Sequence, residues 1–157
     1  SAVLGRLPGR KGYHDISRHP EAHQVPGLVL FRWDSPLFFA NAEIFRSRLL
    51  AAVAAAEQPL RRIVVAAEPV TDIDVTAADM LQDLKATLAD RGISLCFAEL
   101  KGPVKDRLRR YGLYEAFRDT GLSPTIGSAV RDHLQHERLA WHDPLQRPRQ
   151  TGRRVTS

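Results

Sequence analysis

Apolar residues in this chain fall into short continuous runs that alternate with helical stripes. Residues 28–33 (LVLFRW), 62–67 (RIVVAA) and 93–98 (ISLCFA) are β-rich runs of the length of a buried strand. Between the first two, Ile44, Phe45, Leu49, Ala52, Val53 and Ala56 recur at helical spacing. That stripe opens at Asn41, a favoured cap, and stops at Gln58-Pro59. Between the second and third runs, Ala77, Ala78, Leu81, Leu84 and Leu88 form a stripe with Lys85 at its edge. It starts after Asp74, another good cap, and ends at Asp90-Arg91-Gly92, where glycine suits a left-handed stop. The pattern then predicts a helix over 104–111, a turn-rich stretch with a helical piece near 113–117, and a last helix over 126–139. In that last helix Ala129, Val130, His133 and Leu134 face inward. Residues 13–17 (YHDIS) read as a short opening strand. The order β-β-α-β-α-β-α-α demands parallel pairings with right-handed crossovers, and leaves the opening two strands free to pair antiparallel. The expectation is a single α/β domain, a mixed, mostly parallel β-sheet packed with four to five α-helices.

Charge divides the chain more sharply than composition does. The 157 residues carry a net charge of +5. Residues 1–12 hold +3 and residues 145–157 hold +4, which leaves −2 on everything between. Residues 1–11, rich in Gly, Arg and Pro, read as a flexible linker, residues 12–139 as the folded domain, and residues 140–157 as a basic disordered tail. Charge at the ends argues against a nucleic-acid partner, which wants a basic face on the folded body. It suits tails that approach anionic lipid. No apolar run reaches the roughly 18 residues that mark a membrane span, and the amino end has no signal-peptide pattern. The single cysteine, Cys96, lies in a predicted buried strand and behaves as a small hydrophobe, so no disulfide framework exists.

Candidate chemistry is sparse. The sequence contains no G-x-x-x-x-G-K-[ST], no G-x-G-x-x-G after a strand, no G-x-S-x-G and no H-E-x-x-H. His19 with His23, and His133 with His136, have spacings that can serve metals, but neither pair has an evident third ligand, so no metal site is expected. Asp72 and Asp74 flank Ile73 in the turn that joins the second run to its helix. Paired carboxylates can do acid/base work, yet a cap at Asp74 and a shaped turn at Asp72 account for both. With no nucleophile or base assembled, the chain is not expected to be an enzyme. What the turn can offer is a helix N-terminus, with Thr76 in its first turn and Lys101 on the neighbouring loop. Residues 38–41 (FFAN) read either as core with a cap or as an exposed aromatic lip for a partner.

These residues carry a family resemblance. Residues 26–41 (PGLVLFRWDSPLFFAN), Ile44-Phe45 and residues 71–77 (TDIDVTA) together resemble a STAS domain. More narrowly they resemble the carboxy-terminal cytoplasmic STAS domain of bacterial SulP-type sulfate or anion transporters. Residues 12–20 (GYHDISRHP) are similar to the opening of that subgroup. The resemblance implies a non-catalytic regulatory and interaction domain at the cytoplasmic face of the cell membrane, whose partner is the transmembrane part of the same polypeptide. It implies no required cofactor, with GTP, GDP or ATP as a ligand. The rim for nucleotide or partner is then Phe39, Asn41, Asp72, Asp74, Val75, Thr76, Ala77 and Lys101. The alternative is a stand-alone partner-switching protein of the anti-sigma-factor antagonist kind. In those proteins a phosphorylatable serine follows the aspartate, whereas Val75 follows Asp74 here. Thr76, one residue on, is the phosphoacceptor candidate, displaced by about 100° around the helix.

Overall fold

β-branched and aromatic residues cluster in the three central runs, and in the computed structural model, which describes residues 1–139, 141, 143 and 144, each becomes a strand buried on both faces. The elements in chain order are β1 (Ala2–Gly5), β2 (His14–Asp15), β3 (Leu28–Arg32), α1 (Ala42–Ala55), β4 (Arg62–Ala66), α2 (Val75–Asp90), β5 (Ser94–Ala98), α3 (Gly102–Arg110), α4 (Tyr114–Gly121), β6 (Leu122–Ser123) and α5 (Ile126–His136). One mixed sheet has the order β2-β1-β3-β4-β5-β6. β3, β4, β5 and β6 run parallel, and β1 is antiparallel to both of its neighbours.

The two-residue period of a strand sorts the core into two layers. Ile63 and Val65 of β4, with Leu95 and Phe97 of β5, face a large cluster that includes Phe45, Leu49 and Val53 of α1 and Leu81, Leu84 and Leu88 of α2. Val64, Ala66, Cys96 and Ala98 point the other way, into a smaller cluster closed by Ala129 and Val130 of α5. Cys96 is buried, as expected, and its thiol lies 3.3 Å from the Thr120 carbonyl.

Several expectations need correction. Residues 1–11 are not a linker as a whole: Ala2 and Leu4 are buried and β1 forms an inner strand of the sheet. Four residues are too short a run to stand out beside the basic residues that follow. β1 also lies between the two strands that the sequence left free to pair with each other. β2 keeps only His14 and Asp15 of the predicted 13–17. β6, a two-residue strand inside the turn-rich stretch, went unforeseen. Ile44, placed in the apolar stripe of α1, is 47% exposed, and Ala42 takes a buried position instead. The basic tail expected over 140–157 falls mainly outside the described residues. Of those described, Trp141 packs on the smaller cluster and the Asp143 carboxylate pairs with Arg6 at 3.2 Å, so this part is anchored.

α5 also buries a histidine. His133 is fully buried, and one ring nitrogen, Nε2, lies 2.9 Å from the Pro26 carbonyl. A carbonyl only accepts, so Nε2 carries the proton and donates, and Nδ1 is left as a buried acceptor without a partner among the described residues. Burial first, with the nearby Arg62 and His136 charges, pushes the His133 pKa below its usual value, against the Pro26 bond and Glu137, which favour the charged ring. The unfolded chain therefore takes up this proton before the folded one does. His133 costs nothing above about pH 6.5 and destabilises the fold as pH drops below that value, with a slope of at most about 1.4 kcal/mol per pH unit. Urea midpoints measured from pH 7.5 to 5 should fall, and in His133→Gln the fall should be visibly flatter. Equal slopes for the two proteins would remove His133 as the cause.

Candidate functional site

Asp34 and Pro36 follow β3, Glu68-Pro69 follows β4 at the same end of the sheet, and the two loops are stitched together. Leu37 bridges Ile73 in parallel register. The Leu37 N–H donates to the Asp72 carbonyl at 3.0 Å, and the Asp74 N–H donates to the Leu37 carbonyl at 3.1 Å. This short extra rung extends the β3–β4 ladder beyond the strands. Leu37 and Ile73 are both buried, so they anchor a rim that is otherwise exposed.

Asp74 is the centre of that rim. Its Oδ1 accepts from the Ala77 N–H at 2.8 Å, which caps α2, and its Oδ2 accepts from the Phe39 N–H at 2.8 Å. One carboxylate thus fixes a helix end and a neighbouring loop. Asn41 behaves differently from the expected cap. Its side chain makes no bond to the first turn of α1. It folds back instead: Oδ1 accepts from the Phe38 N–H at 3.0 Å, and Nδ2 donates to the Pro36 carbonyl at 2.8 Å. The Asn41 bonds shape the Pro36–Asn41 turn rather than the helix. Asp72 shapes its own turn, with Oδ1 accepting from the Ile73 N–H at 2.9 Å.

The remaining predicted residues divide. Phe39 is 73% exposed and Val75 52% exposed, while Thr76 is open to solvent on the first turn of α2. Ala77 is fully buried and its N–H is committed to Asp74, so it is not part of the accessible rim. Lys101 pairs with Glu68 at 3.9 Å rather than with either aspartate of the turn. The cation that does reach the turn is Arg107, whose Nε lies 3.4 Å from Asp72 Oδ1. Tyr111 joins it there by donating its hydroxyl to the Ile73 carbonyl at 3.1 Å. Both were missed in the sequence. Their signal was present: Arg107 and Tyr111 share the stripe of Val104 and Leu108 along α3, and a cation with a phenol in an apolar stripe points to polar partners across a packed face.

Chemically the rim is built for contact. Phe38 is 40% exposed and stacks edge-on against Phe39 at 6.1 Å. With Ile44 and Val75 they are four of the five large hydrophobic side chains that stand exposed among the described residues. All four come from the two stitched loops and the helix starts that follow them. Exposed apolar side chains gathered on a rigid frame mark an interaction surface. Among the described residues no group of three or more His, Cys, Asp or Glu is placed to hold a metal ion. No described helix is long and apolar enough to cross a membrane.

Three comparisons frame this geometry. The family model described as the STAS domain matches residues 19–129. A Mycobacterium tuberculosis protein named as a probable sulfate transporter is 39% identical over 130 residues, which is 83% of this chain and 23% of that protein. The chain thus spans about a quarter of the length of that relative. The structure of the murine Solute Carrier 26 family member A9 anion transporter, in its inward-facing state, superposes with a TM-score of 0.77 at 20% identity, over 85% of this chain and 22% of the other. The anti-sigma factor antagonist SpoIIAA in its unphosphorylated form superposes with a TM-score of 0.53 at 15% identity, over 76% of this chain and 96% of the other. At those identities the two structures speak for the fold alone.

Proposed function

The chain belongs to the STAS domain family, and from that premise we propose that it is the regulatory and interaction domain of a SulP-type sulfate or anion transporter. Its place is the cytoplasmic face of the membrane, and its partner is the transmembrane part of the same polypeptide. The observation that carries this reading is the 39% identity, over 83% of the chain, to a protein named as a probable sulfate transporter. The rim supplies the means: Phe38, Phe39, Ile44 and Val75 form an apolar lip on a frame held by Asp74 and the Leu37–Ile73 rung. The occupant of the lip is the remainder of the parent polypeptide, since this chain matches only 23% of that relative's length. The proposed role is non-catalytic, and its support is that the Asp74 and Asp72 carboxylates are engaged in cap and turn bonds.

A finer part of the proposal is a nucleotide, GTP, GDP or ATP, at the same rim. Its support is the exposed first turn of α2 at Val75 and Thr76. The Asp74 carboxylate at that turn repels phosphate, which confines such binding to weak affinity. A second reading, a partner-switching protein, draws on the SpoIIAA-like fold and the open position of Thr76. Val75, which has no hydroxyl, stands where that switch would need one.

Labelled-sulfate uptake by the full-length parent polypeptide tests the main reading. Phe39→Asp with Val75→Asp should lower uptake severalfold at equal protein level. Both side chains are exposed, so the unfolding midpoint of this chain should move little, within about 0.5 kcal/mol. Unchanged uptake would overturn docking through the lip. A parent gene with no spans of about 20 apolar residues would overturn the transporter reading itself. Titration with GTP and ATP, followed by backbone amide shifts, reads the nucleotide separately. Shifts at Val75 and Thr76 support it, and silence at millimolar ligand removes it while leaving docking intact.

A further inference from the structure

Outside the rim, one face of the domain concentrates positive charge. Residues 101–121, which span α3 and α4, carry six Lys and Arg against three acids, a net +3, while the rest of residues 1–144 sums to −2. The asymmetry has a shape. On α3, Lys105 and Arg109 are one turn apart on one flank, and Arg107 points to the other flank, toward Asp72. On α4, Tyr114 and Arg118 repeat the same spacing. The Arg109 guanidinium stacks over the Tyr114 ring at 4.1 Å, which joins the two helices into one surface. Between them opens a cleft of about 690 Å³ lined by Arg109, Gly112, Tyr114, Glu115 and Arg118. Arg109 and Arg118 are more than half exposed. Each is paired locally, with Asp106 at 2.8 Å and Asp119 at 3.4 Å, and exposed pairs of that kind exchange readily for a stronger anion.

We infer that this α3–α4 face, through Arg109 and Arg118 of the cleft and Lys105 on the same flank of α3, docks on a bilayer surface rich in anionic lipid headgroups. The inference rests on the proposed placement of the domain beside a membrane. Three observations select a lipid surface over other polyanions. Arg109 and Arg118 stand exposed, with half-buried Lys105 and Tyr114 among them, and arginine stems and tyrosine rings both suit the boundary between apolar and aqueous layers. The face is tied to the apolar lip: α3 is held to the β4–α2 turn through Arg107–Asp72 and Tyr111–Ile73, so basic and aromatic surfaces share one end of the molecule. The rest of residues 1–144 is slightly acidic in sum, which orients the basic face toward a negative surface rather than spreading attraction over the whole body.

Cosedimentation of this chain with phosphatidylcholine vesicles containing about 30% phosphatidylglycerol, against pure phosphatidylcholine, tests the inference. Binding should require the anionic lipid and fall as salt rises above about 0.5 M. Lys105→Glu, Arg109→Glu and Arg118→Glu together should lower the vesicle-bound fraction by about tenfold or more, at an unchanged circular dichroism spectrum. A second variant, Arg147, Arg149, Arg153 and Arg154→Gln, should retain most of the binding. The inference is overturned if the tail variant abolishes binding and the triple variant does not, or if vesicles never bind. Full displacement by millimolar inorganic phosphate would equally overturn it, by revealing a site for free anions. None of these results depends on sulfate uptake, so the transporter reading can fail or stand independently.

Discussion

Phe45→Ala should cost about 3–5 kcal/mol of unfolding free energy, read as a lower urea midpoint at an unchanged denaturant slope. Phe45 is fully buried where α1 crosses the sheet. Its ring meets Phe31 edge-on at 5.6 Å and Trp33 at 5.2 Å, so truncation empties the junction of three aromatic side chains. The loss combines the transfer term with a cavity that a sheet-bound Phe31 has little freedom to refill. Against a typical total of roughly 5–15 kcal/mol, this change brings the domain close to unfolding at 37 °C. Ile44, the next residue toward the helix start, is 47% exposed and gives the internal control. Ile44→Ala should change stability by no more than about 0.5 kcal/mol. Equal effects for the pair would mean that α1 is rotated about its axis relative to the arrangement described.

The second large effect belongs to Asp74. Removing its side chain in Asp74→Ala deletes the cap on α2, worth about 1 kcal/mol, and the charge-assisted bond to the Phe39 N–H, worth about 1.5–3 kcal/mol when a charged acceptor is lost. Partial exposure of the site shifts the sum toward its low end, about 2–3 kcal/mol. The signature that separates this from ordinary destabilisation is local. Amide exchange at Phe39 and Ala77 should accelerate well beyond the change in global stability, while amides of β4 should follow the global change alone. Asp74→Asn, which keeps an acceptor oxygen for one of the two donors, should recover about half of the loss. If Asp74→Ala leaves Phe39 exchange unchanged, the coupling between the two loops does not run through this carboxylate.

Much of the fold was legible because its central strands carry a strong signal. Apart from Arg32, Arg62 and Ser94 at strand ends, residues 28–33, 62–67 and 93–98 are apolar on both faces, as the middle of a strand buried on both faces has to be. Asp74 was legible as a cap because capping is local chemistry, settled by one residue and the helix that follows it. Its second bond, to Phe39, was not, since nothing in the sequence gives the distance between residues 35 positions apart. β1 was hidden for a related reason. Its four residues look like the start of a basic linker until they are placed between β2 and β3, and only tertiary pairing makes them a strand. Asn41 misled by type: asparagine is a common cap, but here its amide has better partners in the preceding turn. The accessible rim therefore keeps Phe39 and gains Phe38 and Ile44, loses Ala77, and exchanges Lys101 for Arg107.

β1 has one more effect, on how strong any contact at the lip needs to be. Because β1 runs antiparallel to β3, Ala2 lies beside Arg32, at the end of the sheet where Phe38, Phe39 and Val75 are displayed. In the proposed transporter, peptide arriving at residue 1 reaches the domain on the side of the lip itself. A short tether at that point would hold lip and partner at an effective concentration in the millimolar range. An intrinsic affinity of about 1 mM, roughly −4 kcal/mol, is then enough to keep the two in contact about half of the time. Near half occupancy a shift of about 1 kcal/mol, from a bound ligand, a charge or a lipid, changes occupancy most steeply. In that proposed arrangement, the strand that ties the amino end into the sheet would let a weak surface act as a sensitive one.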